Sequence, residues 1–139
     1  MTSPFHCPRA NILLVDDDRQ LVAELTELLG AAGYACRSAN DAESALANLG
    51  EQTPDLLIVD IDLGGESGLA LCGRVRREAG LADLPVIVLS GAELPNIVMR
   101  AKSAGGTYYL RKPHDADVLL ELVEKALWMP HVVKSHLVG

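Results

Sequence analysis

Cysteine is scarce in this chain. Cys7, Cys36 and Cys72 are odd in number, widely separated and without a CxxC spacing, so neither a disulfide framework nor a zinc or thiol-redox motif is encoded. Cys36 and Cys72 sit among apolar neighbours and are expected as buried, reduced thiols. Histidine is equally uninformative: His6, His114, His131 and His136 share no metal-ligand spacing and are expected at the surface or the core edge. Positive charge is in deficit, with 12 Lys and Arg against 19 Asp and Glu and a net charge of −7. A polyanion such as nucleic acid, or an acidic membrane face, would be repelled rather than gathered. No apolar run reaches the ~18 residues that span a bilayer, and Met1–Ala10 lacks the apolar segment of a signal peptide. A cytoplasmic protein with no membrane partner is the expectation. No internal repeat or low-complexity segment interrupts the chain.

What is present is a globular balance, 49% hydrophobic and 22% charged over 139 residues. One domain of this size buries roughly 68% of its unfolded surface. Short apolar runs alternate with amphipathic segments, the pattern of a parallel sheet wrapped by helices. Ile12–Val15 reads as the first strand and stops at Asp16-Asp17-Asp18. Leu21, Leu25, Leu28 and Leu29 then recur at helical spacing, with Gly33 as the residue that closes that helix. Tyr34–Ser38 is a weak second strand, and Asn40 or Asp41 caps a helix carrying Ala45, Leu46 and Leu49. Leu56–Val59 is apolar throughout, which predicts a central strand buried on both faces, and it ends in Asp60. The loop Asp62–Gly68 leads into a helix with Leu69, Cys72 and Val75 inward. Pro85–Leu89 forms a fourth strand ending at Ser90-Gly91. Pro95 starts a short helix to Ala104, Gly105-Gly106 breaks it, and Thr107–Leu110 is a fifth strand before Lys112-Pro113. The last helix starts near Asp115 and carries Val118, Leu119, Leu122, Val123, Ala126 and Leu127, while Pro130–Gly139 shows no clear period. Five strands and five helices in strict alternation predict an α/β, doubly wound sheet with helices on both faces.

In such folds the functional crevice lies beyond the carboxyl ends of the strands, and right-handed crossovers bring those ends to one edge. The polar residues that finish strands one, three, four and five are Asp16-Asp17, Asp60, Ser90 and Lys112. Taken singly each has a plainer reading: an acidic trio caps a helix, and a strand-end Asp or Ser is an ordinary loop residue. Together they make a site. Three carboxylates at one edge repel, raising their pKa values or forcing a shared proton, and a divalent cation removes the conflict. Oxygen-only ligands favour Mg²⁺ over zinc or copper, with Mn²⁺ as the substitute. Asp60 is then the best-placed carboxylate nucleophile towards phosphorus, and an ionised carboxylate needs no general base. Phosphoryl transfer asks mainly for positioning and charge stabilisation, which Lys112, the Ser90 hydroxyl and the backbone N–H of Gly91 supply; Gly91 also leaves room for the group.

At this point the residues resemble the receiver domain of two-component response regulators over about Asn11 to Leu127. The matching stretches are ILLVDDD, LLIVDIDLGGESG, PVIVLSGAE and YYLRKP. The resemblance implies a CheY-like, flavodoxin-like fold with strand order 2-1-3-4-5. It implies Asp60 as the phosphorylated aspartate, Asp17 as a direct Mg²⁺ ligand, Asp16 binding through water, and Asp62 contributing its backbone carbonyl. It makes Ser90 the switch hydroxyl, Lys112 the partner of the phosphoryl group, Tyr109 the aromatic switch with Tyr108 facing the opposite way, and Lys112-Pro113 a cis peptide. It implies a receiver domain at 11–128, an N-terminal extension at 1–10, and a tail or start of a linker at 129–139, with apolar Trp128–Val138 as the beginning of a longer helix or of a linker. Its expected partners are a sensor histidine kinase or histidine phosphotransfer protein, a downstream protein or output domain, and a second copy through the face of the fourth helix, fifth strand and last helix. Ile97, Val98 and Met99 on that face are docking or core residues. As a switch it would catalyse only its own phosphorylation and dephosphorylation.

Three positions depart from the family pattern. Gly64 replaces the usual proline and is followed by Gly65, the residue two after Asp60 is the acidic Asp62, and small Ala92 stands two past Ser90. Asp60-Ile61-Asp62 also looks like the DxD nucleophile of haloacid-dehalogenase-type phosphatases, but there the DxD lies on the first strand and a cap domain is needed. A flavodoxin-type cofactor binder would have to cradle phosphate in the loop after strand one, where three aspartates repel it. A pseudo-receiver acting only as an unphosphorylated binding module conflicts with the complete set of Asp17, Asp60, Ser90 and Lys112.

Overall fold

The computed structural model describes residues 10–63, 65–91, 97–103, 108–112 and 115–138. Strands β1 (Asn11–Val15), β2 (Ala35–Ala39), β3 (Leu56–Asp60), β4 (Val86–Ser90) and β5 (Tyr108–Arg111) alternate with helices α1 (Arg19–Ala31), α2 (Ala42–Glu51), α3 (Gly68–Arg77), α4 (Ile97–Ser103) and α5 (Ala116–Val138). All pairings are parallel and the order is β2-β1-β3-β4-β5, as the family resemblance implied.

Helices close both faces. Leu13, Val15, Leu57, Val59, Val86 and Val88 point to one layer with α2 and α3, while Ile12, Leu14, Leu56, Ile58, Ile87 and Leu89 meet α1 and α5 on the other. Residues of opposite parity on each strand thus feed opposite cores. That is why β3 and β4 are apolar without alternation and buried along their whole lengths. β2 is an edge strand and mostly half-buried, which explains its weak signal. It also corrects Cys36, which is half-buried rather than fully so, whereas Cys72 is buried.

Local chemistry sets the boundaries. Asp18 caps α1 by accepting from the N–H groups of Gln20 and Leu21. At the other end the Tyr34 N–H donates to the Leu29 carbonyl and the Gly33 N–H to the Gly30 carbonyl, both at 3.0 Å, a Schellman motif with Gly33 at φ 99°. Tyr34 spends its N–H there, so β2 begins one residue later than Tyr34. Pairing reaches Ala39 because the Asp16 N–H donates to its carbonyl. Asp41 caps α2 and Ser67 caps α3.

At the C-terminus the helical backbone of α5 runs past Pro130 to Val138, so of the two readings of Trp128–Val138, a longer helix or a linker, the backbone takes the first. Proline costs a helix one hydrogen bond and a steric clash with the preceding turn, which is why the apolar period stops there. The predicted ends of α4 at Pro95 and Ala104–Gly106, together with His6, Cys7, Ala92, Thr107 and His114, lie outside the described residues, as do the side chains of Ile97, Val98, His131 and His136. Met99 is exposed.

Candidate functional site

The register of the sheet assembles the site. Val15 pairs with Val59, so the next residues, Asp16 and Asp60, emerge side by side at the carboxyl edge. Asp60 in turn pairs with Leu89, and Ser90 with Arg111, which places Ser90 and Lys112 on the other flank. The Lys112 N–H donates to the Ser90 carbonyl at 2.6 Å, extending the ladder past β5. Asp16, Asp60 and Ser90 are 4%, 7% and 0% exposed, while Asp17 is exposed. One carboxylate oxygen from each of Asp16, Asp17 and Asp60 lies within 4.8 Å of the others. This oxygen-only donor set, open on the Asp17 side, fits a hard cation such as Mg²⁺.

A cation of the protein already stands among these anions. The Lys112 ammonium donates to Asp16 Oδ2 at 3.0 Å and lies 3.4 Å from Asp60 Oδ1. The other oxygen of Asp16 accepts from the Asp18 N–H at 3.0 Å. Burial pushes the Asp60 carboxyl above the ordinary carboxylate range, and the charge of Asp16 adds to this, against the opposing pull of Lys112 and of the Asp62 N–H. For Lys112 burial acts downward, but the Asp16 hydrogen bond and the charges of Asp16 and Asp60 prevail and raise it. The pocket thus holds a fixed positive charge and a carboxylate whose ionised form is held at a cost.

Other expected residues take varied places. Gly91 is exposed beside Lys112. Tyr109 pairs with Val88, two residues before Ser90 on the neighbouring strand. It packs half-buried on the α2–α3 side, whereas Tyr108 packs on the α1–α5 side. Asp62 is exposed and outside the carboxylate trio. It bridges to Ser67, and the Leu63 N–H donates to the Glu66 carbonyl, so buried Leu63 anchors the loop despite its glycines. Gly64 itself and the Lys112-Pro113 peptide, with its expected cis geometry, lie outside the described residues.

Gly68 was missed as a site residue. A Cβ there would sit 2.0 Å from the Asp60 carbonyl oxygen and 2.8 Å from its carbonyl carbon. Its N–H donates to the Ile61 carbonyl at 2.8 Å. The start of α3 is therefore seated directly on the backbone that carries Asp60, and only glycine fits. A glycine placed just after a helix-capping serine was the available signal.

Comparison with known proteins identifies relatives of the chain and of its fold. The family model described as "Response regulator receiver domain" matches residues 12–124. The chain is 34% identical over 119 residues to the DNA-binding transcriptional regulator NtrC of Salmonella typhimurium, covering 86% of this chain and 25% of that protein. Among solved structures, NtrX from Brucella abortus superposes with a TM-score of 0.81 at 33% identity, over 91% of this chain and 28% of that one. The chemotaxis protein CheY4 of Vibrio cholerae superposes with 0.80 at 26% identity, over 84% of this chain and 98% of that one. The chain spans about a quarter of the length of the NtrC relative. Strand-end Asp16, Asp17, Asp60, Ser90 and Lys112 on a β2-β1-β3-β4-β5 sheet, and a family match along most of its length, establish that this chain belongs to the response regulator receiver domains of two-component signalling.

Proposed function

We propose that Asp60 is the phosphoacceptor, and that the chain works as a Mg²⁺-assisted switch charged from a phosphohistidine. The observation that carries this is the Lys112 ammonium spanning Asp16 and Asp60 beside exposed Asp17. An ionised Asp60 oxygen attacks phosphorus; the new P–O bond forms as the P–N bond breaks, and the imidazole nitrogen leaves with the electron pair. Lys112 is placed to follow the negative charge from the Asp60 carboxylate onto a phosphoryl oxygen. The buried Ser90 hydroxyl donates to another, and the Gly91 N–H lies at the same edge. Asp17 and Asp60, the Asp62 carbonyl, and Asp16 through water would hold Mg²⁺, which when bound supplies positive charge against the phosphoryl oxygens. Both Asp16 oxygens already accept hydrogen bonds, which supports an indirect role for that residue.

Drawing Ser90 towards the phosphoryl group opens space behind it for Tyr109, biasing the face of α4, β5 and α5. A downstream protein or output domain reads that face, and a second copy of the chain is an alternative occupant. The phosphodonor is a sensor histidine kinase or histidine phosphotransfer protein, and the setting is cytoplasmic. No described helix is long and apolar enough to cross a membrane. Turnover is limited to the chain's own phosphorylation and dephosphorylation.

The test is incubation with Mg²⁺ and phosphoramidate followed by intact mass measurement. A single phosphoryl addition is expected, abolished by EDTA and by Asp60→Asn. An addition that persists in Asp60→Asn contradicts the reading.

A further inference from the structure

The loop between Asp60 and α3 has Gly64 where the family usually has proline, and Gly65 follows. Glycine leaves the backbone more freedom than any other residue, so the loop needs restraint from elsewhere. It also carries the peptide on which the metal reading rests. The Asp62 N–H donates to the Asp60 carboxylate, so the loop begins by folding over the acceptor. The next peptide holds the Asp62 carbonyl and the Leu63 N–H in one plane, pointing in opposite directions. Leu63 donates that N–H to the Glu66 carbonyl at 3.0 Å. The place of Glu66 therefore sets where the Asp62 carbonyl points.

Glu66 is held in turn from α3. Its carboxylate lies 3.5 Å from Arg74 Nη1, the same nitrogen is 2.9 Å from Glu43 on α2, and Arg74 Nε donates to Glu78 at 2.6 Å. An isolated exposed pair would hold little, because ordering two long side chains offsets most of the attraction. Arg74 is a different case. It is half-buried, and Glu78 and Glu43 already order its guanidinium from two sides, so Glu66 meets a cation that is fixed in place. The helix dipole accounts for a cation in the last turn of α3, but not for one that joins α3, α2 and the loop. Buried Leu63 and the capping Ser67 tie the loop at its ends, and the Arg74–Glu66 pair ties it between them.

We propose that Arg74 is a positioning residue for the phosphorylation loop: through Glu66 it fixes the Asp62–Leu63 peptide, and so the carbonyl offered to Mg²⁺. The inference rests on the reading of that carbonyl as a metal ligand. Variants of the full chain separate it from a merely structural role. Glu66→Gln and Arg74→Gln break the loop arm, whereas Glu43→Gln removes only the α2 arm. Mg²⁺ binding is followed by amide shifts in an NMR titration, and phosphorylation by phosphoramidate is timed over the same Mg²⁺ range. Half-saturation is expected to rise about two- to fivefold in Glu66→Gln and Arg74→Gln, with the rate at saturating Mg²⁺ unchanged. In Glu43→Gln it should keep its native value. In EDTA, hydrogen exchange of the Leu63 amide should quicken in the two loop variants. Combining Arg74→Gln with Glu66→Gln should be no worse than the more affected single variant, since both remove one interaction. Native half-saturation in both loop variants overturns the proposal, as does an equal loss in Glu43→Gln or a lower saturating rate at unchanged half-saturation. A native chain that binds no Mg²⁺ contradicts the phosphoacceptor reading itself, and native-like Leu63 exchange in both loop variants then overturns the clamp as well.

Discussion

Along β3, Leu56 to Val59 are buried among apolar neighbours, whereas Asp60, one residue further on, is buried among charges. The same contrast recurs on β1 between Val15 and Asp16, and on β4 between Leu89 and Ser90. Strand middles gain from every contact they make. Strand ends hold like charges together against their repulsion, and Lys112 offsets only part of it. Stability is built in the middle and drawn down at the edge, where a phosphoryl group or a cation can change the balance.

The largest effect should follow from a cavity in the middle. Ile58 is 1% exposed and central, so Ile58→Ala is expected to cost about 2–5 kcal/mol in urea unfolding, while the folded fraction still accepts phosphoryl groups. Loss of phosphorylation in a variant shown to be folded would break the division between middle and edge.

Gly68→Ala tests the junction between the two regions. Its Cβ would collide with the Asp60 backbone, which cannot yield as a flexible side chain would. A loss of about 1–3 kcal/mol is expected, together with slower phosphorylation because Asp60 itself is displaced. Destabilisation with an unchanged phosphorylation rate would show that the seat of α3 does not aim Asp60.

At the edge the sign reverses. Folded Asp60 holds its proton more tightly than the unfolded chain does. Its contribution is therefore most favourable at low pH and declines as pH rises through the raised native value. Asp60→Asn should be more stable than the native chain at pH 7 in urea unfolding, and the difference should shrink as pH falls into the ordinary carboxylate range. A destabilised Asp60→Asn at pH 7 would mean that the attraction of Lys112 outweighs burial and the charge of Asp16.

The smallest effect is expected at exposed pairs. Arg74 joins three glutamates, yet Glu43→Gln should cost no more than about 0.5 kcal/mol, because Glu43 is largely exposed and solvent screens the pair.

Much of this was legible in the residues. The strand runs stop at their polar ends, so the parallel sheet and the meeting of Asp16, Asp60, Ser90 and Lys112 follow from apolar patterning and crossover handedness. Gly33 was readable because helix termini carry local chemistry. The rest depends on tertiary contact. Gly68 is constrained by the backbone of a strand, not by its own neighbours in sequence. Cys36 is half-buried because β2 is an edge strand, which its own residues do not encode. The run of α5 beyond Pro130 goes against the local propensity of proline.

The central claim is that the buried carboxylate of Asp60, and not one of its acidic neighbours, carries the phosphoryl group. Phosphorylating the protein with Mg²⁺ and phosphoramidate, reducing the acyl phosphate with borohydride and sequencing the peptides by tandem mass spectrometry tests it directly. The account predicts reduction to homoserine at position 60 alone. Reduction at position 16, 17 or 62 instead would contradict it.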